Sequence, residues 1–110
     1  MTACSETHRV DVDEPDARCR QAADTLREDG ARVLFGDAIR LRRHGRRIVC
    51  EVIEPPGSMH RCAEEYAVLV ENARRALAAS RLQAFLPALP MAWVVVENDG
   101  TAIVERWRAP

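Results

Sequence analysis

No lysine occurs in these 110 residues, so every one of the 16 Lys-or-Arg positions is arginine. Together with its many alanines, the chain carries the bias expected of a GC-rich bacterial genome. The absence weakens the obvious inference from the cluster Arg40, Arg42, Arg43, Arg46 and Arg47. Such a cluster suggests nucleic acid, but arginine is this chain's ordinary positive charge. An excess of either sign is also lacking. The formal net charge is −1, which excludes a global field steering the molecule to nucleic acid or acidic membranes. Any such affinity must come from a local patch.

Long apolar runs are missing too. None approaches the ~20 residues that span a bilayer, and Met1-Thr2-Ala3-Cys4-Ser5-Glu6 has no apolar stretch of the signal-peptide kind. The expectation is a soluble, cytoplasmic protein that makes no use of a membrane. The four cysteines, Cys4, Cys19, Cys50 and Cys62, show neither C-x-x-C nor zinc-ribbon spacing, and a reducing compartment disfavours disulfides. Aromatics are scarce: two Phe, two Trp and one Tyr. Phe35 is nearest in sequence to the arginines, so base stacking has little to work with. There is no glycine-rich phosphate loop, nucleophile elbow or H-E-x-x-H. Glu64-Glu65 and Asp11-x-Asp13 read as solvated carboxylates. The sequence therefore predicts no catalytic residue, no metal site and no cofactor.

What is present fits one domain with a single core. Residues 1–13 are polar and acidic and read as a flexible arm, or at most a short edge strand. Residues 14–110 form the domain. A helix is predicted over 16–29, with Pro15 in its first turn, a thin stripe of Cys19, Ala22, Ala23 and Leu26, and Gly30 as its left-handed stop. Strands follow over 32–35, 38–43 and 46–53, with Gly36-Asp37 and His44-Gly45 as turns. That register sets Leu41 against Ile48 and Ile39 against Cys50 on an apolar face. It leaves Arg40, Arg42, Arg47 and Glu51 on the other face.

Glu54-Pro55-Pro56-Gly57 breaks the chain before a helical pattern that Ser58 caps. Met59, Cys62, Tyr66, Leu69, Val70, Ala73 and Leu77 recur at helical spacing, toward Phe85. One helix over 59–85 would be ~40 Å long, more than a compact domain of this size accommodates. It must break near Ala79-Ser80 or overhang. Strands over 91–97 and 101–108 join through Asn98-Asp99-Gly100. Alternation in the last strand sets Ile103, Glu105 and Trp107 opposite Ala102, Val104 and Arg106. No internal repeat is visible. The order α-β-β-β-α-β-β predicts an α+β two-layer sandwich, an antiparallel sheet with both helices on one face.

Two surfaces are candidates for contact. In the hairpin spanning 39–53, the predicted register puts Arg42 beside Arg47 and Arg43 beside Arg46. Like charges so placed need neutralising, by phosphate, by an acidic protein, by the acidic arm or by solvent. The apolar end, with Leu82, Phe85, Leu86, Trp93 and Trp107, suggests a homodimer interface. Cys62 is a third candidate. At a helix start beside Arg61 its thiol could be acidified and reactive, although it also lies on the apolar stripe. The expectation is a non-enzymatic protein–protein interaction module that homodimerises. Nucleic-acid binding through the arginine hairpin is the alternative, and a small enzyme or thiol protein using Cys62 the second.

Overall fold

The computed structural model describes residues 7–10, 16–57 and 61–110. The elements run β1 (Thr7–Val10), α1 (Asp16–Thr25), β2 (Arg32–Phe35), β3 (Ile39–His44), β4 (Arg47–Glu54), α2 (Ala63–Ala79), a 3-10 turn (Leu82–Phe85), β5 (Met91–Asn98) and β6 (Ile103–Arg108). The six strands lie in the sheet in chain order. The predicted α+β order is found, with β1 added at the front. The edge-strand alternative for that stretch therefore holds over Thr7–Val10, while the rest of the expected arm lies outside the described residues.

The sheet is mixed rather than antiparallel throughout. β1 and β2 are parallel, as are β4 and β5, and the remaining pairs are antiparallel. The reason is connectivity: each helix is a crossover between two neighbouring parallel strands. The two crossovers leave from strands of the same direction and step the same way along the sheet. Right-handed crossovers then put both helices on one face. Two β-α-β-β units, β1 to β3 and β4 to β6, thus repeat the topology without a repeat in the residues.

The helix-facing side holds the main core. Cys19, Ala22 and Leu26 of α1 and Tyr66, Val70, Ala73 and Leu77 of α2 pack on Val33, Phe35, Leu41, Ile48, Cys50, Val52, Trp93 and Val95. The stripe predicted for α1 is all buried. Truncating Leu77, 1% exposed, to alanine should cost about 3 kcal/mol. The long helical pattern breaks where its length required. α2 ends at Ala79, Ser80 donates its hydroxyl to the Leu77 carbonyl at 2.6 Å, and Leu82 turns back to be fully buried near α1. Cys62 is only the N-cap and is exposed, not part of the stripe. Met59 and Ser58 lie outside the described residues.

The hairpin loop is Gly45-Arg46, not His44-Gly45. His44 pairs with Arg47, Arg43 with Ile48, Leu41 with Cys50 and Ile39 with Val52. Gly45 has φ +61°, and its N–H is held by Asp29 Oδ1 at 2.8 Å. This left-handed position favours glycine and moves the turn one residue on. Pairings slip by two residues, so the inner and outer faces stay as predicted while the neighbours change.

Candidate functional site

The sheet face turned away from the helices forms a shallow cleft of about 450 Å³ crossing five strands. Strand parity builds it. β2 contributes Arg32, β3 Arg40, Arg42 and His44, and β4 Arg47, Val49 and Glu51. β5 supplies the floor through Ala92, Val94 and Val96, and β6 the far wall with Ile103, Glu105 and Arg108. Val49, Val94 and Val96 are buried in a small second core beneath the arginine stems, with Ile53 packed against it. Long arginine side chains can cover apolar surface in this way while keeping their charged heads outward.

Five arginines and a histidine face two carboxylates here. Glu51 is central and buried. Its Oε1 accepts from Arg40 Nε at 2.6 Å, and its Oε2 lies 3.9 Å from Arg42 Nε. Glu105 pairs with Arg108 at 3.1 Å. Among the described residues Arg32 and Arg47 have no carboxylate partner within ion-pair distance, and the Nε atoms of Arg32 and Arg42 are buried without a hydrogen-bond acceptor. Positive charge over an apolar floor is what the face offers. Its described lining side chains include no hydroxyl or thiol, and its guanidinium groups are suited to anion recognition.

Arg40, Arg42 and Arg47 are therefore brought together, while Arg43 and Arg46 are not. Arg43 points to the helix side, where it donates to the Leu26 and Arg27 carbonyls at 3.1 Å each and to Gly45 O. It binds the carbonyl-rich end of α1, a normal place for a cation. Arg46 sits in the turn, beside Pro90 and Met91. The expected apposition of Arg42 with Arg47 is replaced by Arg42 with Val49, and that of Arg43 with Arg46 by Arg43 with Ile48. Glu51 pairs with Arg40 and approaches Arg42, while Arg43 is held by carbonyl oxygens.

Arg32 and Arg108 were missed from the sequence. Alternation about the Gly36 turn could have found Arg32, which shares a face with its partner Arg42. Arg108 was hidden by a bulge. β6 slips by one residue between the partners of Val95 and Val96, so Val96 faces Glu105 while Val94 faces Arg108. Glu105 and Arg108, three apart in sequence, thereby share the open face. Trp107 is turned to the helix side against Val95, which overturns the expected alternation.

The apolar end is largely consumed within the chain. Leu82 is fully buried and Trp93 is 7% exposed. Phe85 and Leu86 pack on the core; Arg20 lies over the Phe85 ring at 5.1 Å and Arg74 over Trp93 at 5.6 Å. Trp107 stacks on Tyr66 with ring centroids 6.0 Å apart. All five aromatics thus belong to the helix side, and none lines the arginine cleft.

Cys62 is exposed, but its environment does not acidify it. The backbone N–H of Glu65, which donates to the Cys62 carbonyl at 3.1 Å, lowers the pKa of the thiol. The Glu64 carboxylate, desolvation and the Glu65 carboxylate outweigh this, and the net shift is upward. Its thiol donates to Glu65 Oε1 at 3.4 Å, and Arg61 is engaged with Glu54 at 2.7 Å and Glu65 at 3.6 Å. Among the described residues no three His, Cys, Asp or Glu side chains are grouped to hold a metal ion, and no helix is long and apolar enough to cross a membrane. No protein-family model, curated protein or solved structure matches the chain.

Proposed function

We propose that this chain is a non-enzymatic binding module of the bacterial cytoplasm whose open sheet face takes an acidic, extended segment of another protein. The observation that carries the proposal is the pairing of guanidinium groups that have no carboxylate partner among the described residues, on Arg32 and Arg47, with a buried valine floor. An extended segment presents side chains with a two-residue period. Alternating carboxylates and apolar groups would match rows of arginine and valine. Electrostatic complementarity of this kind sets specificity and encounter rate. Single-stranded nucleic acid is less well served, because no aromatic side chain lines the cleft for base stacking.

The test is fluorescence anisotropy with a labelled peptide of alternating glutamate and valine, against labelled single-stranded DNA, at about 50 and about 200 mM salt. The peptide should bind at low salt and weaken as salt rises, and the double change Arg42→Glu, Arg47→Glu should abolish binding. Tighter binding of the DNA, lost in the same variant, would transfer the face to nucleic acid. Binding of neither would end both readings.

Homodimerisation is a separate proposal. Face-to-face association of two copies would oppose their arginines, so a dimer would use another surface. Val68 on the outside of α2, 59% exposed, is the observation in its favour. A solution mass that is dimeric, and falls to that of a monomer with Val68→Glu, would establish it.

A further inference from the structure

Arg32 and Arg42 are Cα partners across β2 and β3. Their side chains rise together from the open face, with Cβ atoms about 5 Å apart. The next residue along this row is Val49, and beyond it Ala92, so the row contains no acid. In the adjoining row His44 pairs with Arg47, again without an acid. Glu51 stands one row away on the other side and is committed to Arg40 at 2.6 Å. It approaches Arg42 Nε only to 3.9 Å, and no hydrogen bond forms.

Two unfavourable features therefore coincide at one place. Like charges sit directly opposite one another, a destabilising arrangement on a sheet. In addition, the Nε–H groups of both Arg32 and Arg42 are buried and have no acceptor, although buried donors are nearly always satisfied. A single oxyanion held by the accessible N–H groups of the two guanidinium groups relieves the repulsion, and a small turn of the side chains brings the buried Nε–H groups to it. Arginine's planar fork donates in parallel to the oxygens of such a group. Val49, buried beneath the two arginines, gives the pair an apolar floor.

We infer that Arg32 and Arg42 form a phosphate-binding subsite on the open sheet face, with Arg47 as the outer contributor of charge. A dianion suits it better than a single carboxylate, because among the described residues Arg32 and Arg47 have no carboxylate partner and Arg42 has only the 3.9 Å approach of Glu51. Two carriers present this phosphate chemistry, the free ion or a phosphoryl group on a side chain of the bound segment. The second carrier rests on the reading of this face as a peptide-binding surface; the first does not.

The experiment is a titration of the full chain with inorganic phosphate at constant ionic strength, following the arginine Nε–Hε signals by NMR. The Arg32 and Arg42 signals should move together and saturate. Arg43, whose Nε is bonded to Gly45 O, should stay still. Arg32→Gln and Arg42→Gln should each weaken binding by about tenfold or more, whereas Arg75→Gln, on the outside of α2, should not. Non-saturating shifts that chloride reproduces would overturn the subsite, as would shifts spread equally over all arginines. A second arm compares a phosphoserine peptide with its serine form. A preference for the phosphopeptide that vanishes in Arg32→Gln assigns the phosphate to the partner segment. If inorganic phosphate binds while the acidic peptide does not, the subsite stands and the peptide reading falls. If the peptide binds and phosphate does not, the subsite alone falls.

Discussion

Arg40 and Glu51 face each other across β3 and β4, joined from Nε to Oε1 at 2.6 Å, with their side chains only 15% and 7% exposed. Glu51 is also the one carboxylate near Arg42 among the described residues, at 3.9 Å. It therefore both stabilises the sheet and competes with any bound anion. Changing Glu51→Gln should strand a buried guanidinium and cost about 3 kcal/mol in urea denaturation. It should also tighten binding of an anionic ligand several-fold by releasing Arg42. Replacing both partners, Arg40→Met with Glu51→Leu, should return most of the stability, because a buried pair contributes little over apolar residues of similar size. Wild-type stability in Glu51→Gln would show that the pair is of no account.

Arg43 provides the control. It comes from the same run of arginines but serves the other side of the sheet, on the Leu26 and Arg27 carbonyls at the end of α1. Arg43→Ala should destabilise by about 1–2 kcal/mol and leave anion affinity unchanged. Equal loss of affinity in Arg43→Ala and Arg42→Ala would mean that charge counts and position does not.

The thiols give a graded prediction. Burial pushes the Cys50 thiol up to about 12, while Arg74 opposes and Glu51 reinforces the shift. A thiol with a raised pKa in the folded state adds stability below its unfolded pKa. That stability is lost as pH rises through the folded value. The fold should therefore weaken between about pH 9 and pH 12, and Cys50→Ala should flatten that slope. Cys62, exposed but shifted upward, should alkylate slowly near neutral pH for an accessible thiol. Glu64→Gln with Glu65→Gln should speed it. Fast alkylation of Cys62 in the unaltered chain would restore the reactive-thiol reading.

Faces were more legible in the sequence than neighbours. Ile39, Leu41, Ile48 and Cys50 alternate with Arg40, Arg42 and Arg47, and a two-residue slip in register preserves that division. The slip nevertheless replaced the predicted partners of Arg42 and Arg43. It turned on whether Gly45 opens or closes the loop, and the bond from Gly45 N–H to Asp29 that decides this is non-local. Arg32 and Arg108 needed the sheet order itself, and Arg108 also a bulge that no glycine or proline announces. The apolar end misled for a related reason. Phe85, Trp93 and Trp107 look uncovered along the chain, but Arg20, Arg74 and Tyr66 cover them from other elements.

Acid should loosen the fold at a definable place. Arg81, just beyond α2, pairs with both carboxylate oxygens of Asp16 in the first turn of α1. The Arg81 hydrogen bond holds the Asp16 carboxyl below the usual carboxylate range; desolvation opposes it, and the charges of Arg81 and Arg20 assist. A carboxyl with a lowered folded pKa contributes stability above its unfolded value, about 4. That stability disappears as pH falls through the folded value. Asp99 behaves alike, lowered first by the Ala102 N–H and then by Thr101. The midpoint of urea unfolding should thus decline below about pH 4. Asp16→Asn and Arg81→Ala should each reduce the decline, and combining them should add little, since both remove the same interaction. Asp99→Asn should remove a separate share that adds to either. If Asp16→Asn leaves the acid limb of the stability curve unchanged, the clamp between the start of α1 and the turn after α2 is not formed in solution.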